Sequence, residues 1–296
     1  MASPHFRLAL LECSRPLPTT LGKYRRVYQT WLDASLEIVN ASRTEPVTYT
    51  LDGYDVVDEM EYPPDDIEYH GVLITGSPSS AYEDLEWINR LITYVKRIIS
   101  EEPNTRLFGK LELSPTGRYS RVLGICFGHQ IIARALGGEC TPNDGKWEVA
   151  VTTVQLTPLG KSIFGKEELD VQQLHRDHVP TVPSGCHLLG STAITPNHGF
   201  VMFDSKSTPS AESLDSESLS VPLTSIRIFT VQGHPEFTPI TVHAVLDARA
   251  KILGELVTRD ARARADGLPG KPRSDGRACD GVSVVGRTIW GILGVA

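Results

Sequence analysis

The stretch from Val122 to Gln130 (Val-Leu-Gly-Ile-Cys-Phe-Gly-His-Gln) constrains the fold of this chain more than any other. Arg121 to Ile125 is a short apolar run with the character of a buried strand. Phe127 to Leu136 is helix-forming and closes on Gly137 and Gly138, a glycine pair suited to a helix C-terminus. Between them, Cys126 is the middle residue of a Gly-x-Cys-x-Gly turn. A strand that passes through so tight a turn into a helix belongs to an α/β sheet, and a side chain on that turn stands at the carboxyl edge of the sheet. The turn demands a strained backbone with little room beside it, and Gly124 and Gly128 remove two side chains from its path. This is the form of a nucleophile elbow.

The rest of the chain repeats the strand-to-helix alternation. Phe6 to Cys13 reads as a buried first strand, ended by Ser14, Arg15 and Pro16, and Tyr24 to Leu36 reads as a helix with Val27, Trp31 and Leu32 at helical spacing. Val47 to Met60 is β-prone, and Gly71 to Thr75 is a strand stopped by Gly76-Ser77-Pro78. Leu85 to Ile99 then places an apolar row on one helical face. Residues 101–120 read as a surface excursion. Past the elbow, Val149 to Leu156, Val171 to Leu174, His187 to Leu189 and Gly199 to Phe203 are strand-like and make the second half richer in β-structure. Ser205 to Ser220 is dominated by serine and acidic residues and is expected to be a flexible loop. Ile226 to Val231 is a buried strand and Pro239 to Leu256 a helix. Beyond Arg259 the chain alternates charge with Gly and Pro, whereas Val282 to Val295 is apolar enough to dock on the body.

Composition narrows the partners. With 29 basic and 36 acidic residues, a net charge of -7 and no Lys/Arg block, the chain does not present a phosphate-tracking stripe, which argues against nucleic acid. No apolar run approaches the roughly 18 residues that span a bilayer, and the first residues do not form a secretory leader, so no membrane association is expected. The 5 cysteines are scattered without paired spacing, which suits a reducing, cytoplasmic compartment better than a disulfide framework.

A cysteine on an elbow needs a base to act as a nucleophile. Thr230 to Phe237 offers one: a second buried strand ends at Gly233 and delivers His234 to the sheet edge, with Glu236 two residues on across a stiffening Pro235. A carboxylate on one ring nitrogen fixes the tautomer and leaves the other nitrogen to exchange a proton with Cys126. The helix beginning at Phe127 adds positive potential that favours a negatively charged sulfur. The Phe127 N–H is placed to donate to an oxyanion, and Gly76 or Ser77, which also follow a strand, are candidates for the second donor. Taken singly, each motif has a duller reading: a buried cysteine packed as a small hydrophobe, and a turn histidine beside a surface carboxylate. Their joint presence at two strand ends favours the chemical reading.

These motifs identify the chain as resembling the class I glutamine amidotransferases. The resemblance rests on Gly124 to Gln130, Gln232 to Phe237 and Thr75 to Pro78, in the family's order, and covers residues 5–258. It implies a flavodoxin-like three-layer α/β sandwich with a mostly parallel central sheet, and a Cys-His-Glu triad of Cys126 as nucleophile, His234 as acid and base, and Glu236 as orienter. It further implies an oxyanion hole at Gly76 and Phe127, and a substrate contact at Gln130. Residues 259–296 are then a C-terminal extension. Leu174 to Val179 resembles a segment beside the family's substrate pocket; zinc is the rival for its histidines with Cys186, but the ligand spacing does not fit. Neither a metal nor an organic cofactor is expected.

The implied reaction is hydrolysis of the γ-amide of glutamine or of a γ-glutamyl compound through a cysteinyl thioester. Three readings follow: a glutaminase feeding ammonia to a separate synthase, a stand-alone γ-glutamyl peptidase acting on glutathione-like substrates, or a non-catalytic binding module on the same fold. No P-loop signature is present, so any acceptor chemistry is expected on another polypeptide.

Overall fold

The computed structural model describes residues 4–14, 24–100, 121–205, 207 and 219–295. The expected excursion at 101–120 and most of the expected loop at 205–220 lie outside these residues. The first strand, β1 (His5–Glu12), shows why the sheet is central: Leu8 and Leu10 enter one hydrophobic core while Ala9 and Leu11 enter the other, and both sets are buried. Successive side chains point to opposite faces, so the continuous apolar run Leu8 to Leu11 needs a covering layer on each side.

Helix α1 (Tyr24–Asn40) supplies one layer through Tyr28, Trp31, Leu32, Ser35 and Leu36, spaced at three and four residues along one face. The opposite layer comes from α2 (Glu86–Ser100) and α3 (Phe127–Ala135). Between them run β2 (Thr48–Asp55), β3 (Gly71–Ile74), β4 (Val122–Ile125), β11 (Phe200–Phe203), β12 (Ile226–Val231) and β9 (His187–Leu188), giving a seven-stranded sheet in the order β2-β1-β3-β4-β12-β11-β9. The first five strands in that order pair in parallel and the last two antiparallel, so the sheet is mostly parallel, as expected. A 2-1-3-4-5 order of parallel strands is the flavodoxin-like pattern, in which ligands sit beyond the carboxyl ends of the strands.

The β-rich second half forms a smaller sheet of β10 (Gly190–Ser191), β6 (Glu148–Leu156) and β7 (Glu168–His175), with the pair β5 (Thr141–Pro142) and β8 (Asp177–His178) beside it. Helix α4 (Pro158–Phe164) links β6 to β7.

The helix expected over 239–256 is two. Helix α5 (Pro239–Leu253), capped by the Thr238 hydroxyl, stops at Gly254, whose φ of 82° no side-chain-bearing residue adopts cheaply, and α6 (Glu255–Arg264) starts there. Helix α6 spans the position where an extension was expected to begin. Further on, a wide helical turn (Gly281–Gly286) and α7 (Arg287–Ile292) pack on α1, and Trp290 is fully buried in the core that contains Leu8, Tyr28 and Trp31. The Trp290 indole N–H donates to Ser35 Oγ at 3.0 Å, and that of Trp31 donates to the Gly281 carbonyl at 2.9 Å. Just before this segment, fully buried Asp280 accepts from Lys166 at 2.7 Å and from Arg273 at 2.6 Å, and its backbone N–H donates to the Asp170 carbonyl. Among the described residues no helix is long and apolar enough to cross a membrane.

Candidate active site

β4 and β12 lie side by side in parallel, with Ile125 opposite Val231, so the residues that follow each strand leave the sheet at the same edge. Cys126 follows β4 directly. Its φ of 51° and ψ of -103° fall outside the regions open to ordinary side chains, and its N–H is tied to the Val231 carbonyl at 2.9 Å. The glycines read from the sequence do what the turn requires: a Cβ on Gly128 would stand 2.3 Å from the Ile74 carbonyl oxygen, and one on Gly124 would stand 2.6 Å from Ile132 Cδ1. The strand-to-helix turn therefore exists only because both positions lack a side chain.

Three residues past β12, the His234 N–H donates to the Gln172 carbonyl of β7 at 2.7 Å, so the smaller sheet fixes this segment. The imidazole Nδ1 lies 2.8 Å from Glu236 Oε1, and the ring stacks on Phe237 with centroids 4.1 Å apart and planes 11° off parallel. His234 and Glu236 are each 3% exposed and Cys126 is 5% exposed. Burial alone would drive a proton off this imidazole. The nearby Cys126 sulfur and the Glu236 carboxylate, each also a hydrogen-bond partner, outweigh it and hold the ring charged up to about pH 10.

Helix α1 closes the site from above with two hydroxyls that the sequence reading did not include. Tyr24 Oη donates to Glu236 Oε1 at 3.5 Å, and Tyr28 Oη accepts from the Gly76 N–H at 3.2 Å. Burial, with the Glu236 carboxylate adding to it, raises both tyrosines well above the ordinary phenol value, so they act as neutral groups. Gly76 sits against the ring of His234: a Cβ there would come 2.8 Å from His234 Cε1. The Gly76 N–H is thus already partnered by Tyr28, while Ser77 lines the cleft beside His234.

Gln130 is buried on the first turns of α3, and its amide is spent within the protein. Its Nε2 donates to the Asp177 carbonyl at 3.1 Å and to Gln232 Oε1 at 3.2 Å, and Gln232 Nε2 donates in turn to Cys126 Sγ at 3.5 Å. Gln130 thus reaches the sulfur through Gln232.

The histidine segment 175–178 contributes a different cluster from the one considered in the sequence. Glu148, His175 and His198 are buried, with ligand atoms all within 4.8 Å of one another, the spacing a metal ion would need. Neither Cys186 nor His178 belongs to the group. His198 Nε2 lies 2.8 Å and His175 Nε2 3.1 Å from Glu148 Oε2, Thr192 donates to Oε1 at 2.6 Å, and His175 Nδ1 lies 3.1 Å from the Asp177 carbonyl. Burial would raise the Glu148 carboxyl, but the two imidazoles hold it below the usual carboxylate range. The cluster braces β6, β7 and the turn before β11, and through Asp177 it touches the carbonyl that holds Gln130.

A cleft of about 110 Å³ opens beside His234, on the side of Tyr24, Ser77 and Phe237.

Comparison with known proteins follows this geometry. The glutamine amidotransferase class-I family model matches residues 34–248. A glutamine amidotransferase-like protein of Schizosaccharomyces pombe is 28% identical over 244 residues, which cover 81% of this chain and 83% of that protein. Gamma-glutamyl peptidase 4 of Arabidopsis thaliana is 28% identical over 204 residues, covering 66% of this chain and 65% of the relative. Among solved structures, a glutamine amidotransferase from Thermotoga maritima superposes with a TM-score of 0.61 over 98% of both chains at 16% identity, a likeness of fold.

Proposed function

Since the chain belongs to the class-I glutamine amidotransferase family, we propose that it hydrolyses the γ-amide bond of glutamine or of a γ-glutamyl compound, with Cys126 as nucleophile, His234 as acid and base, and Glu236 as orienter. The observation that carries this reading is the meeting of three buried groups from two adjacent strand ends: the sulfur on a strained turn, an imidazole held charged beside it, and a carboxylate 2.8 Å from the far ring nitrogen.

The charged His234 imidazole beside the sulfur favours negative charge developing there as it attacks. The Cys126 sulfur adds to the γ-carbonyl carbon, and the carbonyl electron pair moves to oxygen. The backbone N–H groups of Phe127 and Ser77 are the donors for that oxyanion; the Gly76 N–H already donates to Tyr28 Oη. His234 gives its Nε2 proton to the departing nitrogen as the C–N bond breaks, leaving a γ-glutamyl thioester. Water then attacks the thioester, its proton passes to the same nitrogen, and glutamate leaves. Glu236 keeps the Nδ1 proton in place throughout. Gln232, anchored by Gln130, supports the sulfur from the side. In a glutaminase the released ammonia would pass to a synthase on another polypeptide; in a peptidase the released amine is itself the product.

The experiment is glutamate release from glutamine and from γ-glutamyl peptides by the purified chain. Wild type turns over at least one of them, and Cys126→Ser and His234→Ala each lose about 10²–10⁴-fold or more in kcat. Activity of Cys126→Ser within a few fold of wild type would remove the sulfur from the mechanism.

A further inference from the structure

We propose that the cleft beside His234 is the subsite for a leaving amine that carries a carboxylate, so that the substrate is a γ-glutamyl amino acid or peptide, with Arg249 binding the carboxylate. This rests on the reading of His234 as the general acid. The proton from that imidazole goes to the departing nitrogen, so whatever leaves must stand against His234.

The space there is far larger than ammonia requires. The cleft holds about 110 Å³, whereas a water-sized molecule needs only about 10–15 Å³ on the same measure. Its outer wall is α5, which presents Ala244 and Ala248 one turn apart, so two short side chains leave the space open, and Val245 and Phe237 make it apolar. Arg249 stands on the same wall. It is half-buried and, unlike Arg7, Arg25, Arg262 and Arg273, it makes no ion pair or hydrogen bond among the described residues. Among the described residues no aspartate or glutamate lines the cleft, and because His234 is already paired with Glu236, Arg249 is the cation among them that a substrate carboxylate can use there. A guanidinium with no partner among the described residues, on the wall of an apolar cleft, suits a carboxylate, which it can take by two parallel N–H bonds.

The step balances as for any γ-glutamyl amide. Sulfur bonds to the γ-carbon, the C–N bond breaks, the His234 proton completes the amine, and the amino acid leaves with its carboxylate on Arg249. Water restores the sulfur and releases glutamate.

The test compares γ-glutamylglycine with γ-glutamylglycinamide, which differ only in the carboxylate, using the full chain and its Arg249→Gln and Arg249→Lys variants. Wild type prefers the acid by about 10–100-fold in kcat/KM, the range expected of a charge-assisted pair. The preference appears mainly in KM, collapses to near one in Arg249→Gln, and returns in part in Arg249→Lys. Equal kcat/KM for acid and amide in wild type, or a preference that survives Arg249→Gln, overturns the proposal. Calorimetric binding of γ-glutamylglycine in a Cys126→Ser background separates this from the proposed chemistry. Loss of affinity on adding Arg249→Gln supports the subsite even where turnover is absent, and equal affinity overturns it. No hydrolysis of glutamine or either dipeptide by wild type, with this affinity difference intact, strikes the proposed reaction instead.

Discussion

Replacing Trp290 with alanine measures how far residues 280–295 belong to the fold. Trp290 is fully buried, stands edge-on to Tyr49 with ring centroids 5.2 Å apart, and donates to Ser35 Oγ. Truncating a buried tryptophan costs about 3–5 kcal/mol in transfer and cavity terms together. The lost hydrogen bond adds little, because the Ser35 hydroxyl still donates to the Leu32 carbonyl at 2.9 Å. For a chain of this size each kcal/mol moves the melting temperature by about 2–4 °C, so Trp290→Ala lowers it by roughly 6–20 °C. The assay is thermal unfolding followed by far-UV circular dichroism, with Trp290→Phe as a milder companion that falls between. A shift under about 2 °C for Trp290→Ala would refute the argument that this segment is part of the folded core.

The pH dependence has a definite sign. His234 is raised from the ordinary value of 6.5 to about 10, so the stability its proton confers is complete below about 6.5 and is lost as pH rises through about 10. kcat/KM falls along the same alkaline limb because the general acid disappears, and a pH profile that instead declines near 7 contradicts the assignment. Gly128→Ala pushes a methyl group against the Ile74 carbonyl and costs about 1–3 kcal/mol as overpacking, read by denaturant unfolding; activity falls more steeply because the turn itself moves. Glu148→Gln removes the carboxylate to which two buried imidazoles hydrogen-bond and lowers stability by about 1–3 kcal/mol, and an unchanged unfolding midpoint would show that the cluster is not a brace.

What the sequence revealed is what local pattern encodes. The elbow was legible because an apolar run from Val122 leads straight into two glycines flanking a cysteine, and His234 with Glu236 because they close a second apolar run. The parts that escaped notice depend on distant segments meeting. Tyr24 and Tyr28 read only as positions on a helix, and their hydroxyls gain meaning from where α1 crosses the sheet, over 200 residues before Glu236 in the case of Tyr24. Glu148, His175 and His198 have no spacing motif because β6, β7 and the turn before β11 bring them together. That the Gly76 N–H is already taken depends on a tyrosine hydroxyl that no pattern in 75–78 reveals. A glycine near a helix end can be tolerated or can break it, and only the positive φ of Gly254 decides.

The most direct test of the central claim is the rate at which iodoacetamide modifies each cysteine at mildly acidic pH, mapped by peptide mass spectrometry. Burial pushes the Cys13 and Cys186 thiols up to about 12 and raises those of Cys140 and Cys279. If the sulfur on the elbow is paired with a charged His234, Cys126 labels first and fast near pH 6, and His234→Ala slows it by about tenfold or more. Labelling of Cys126 that is no faster than that of an ordinary thiol, and indifferent to the loss of His234, would contradict the account.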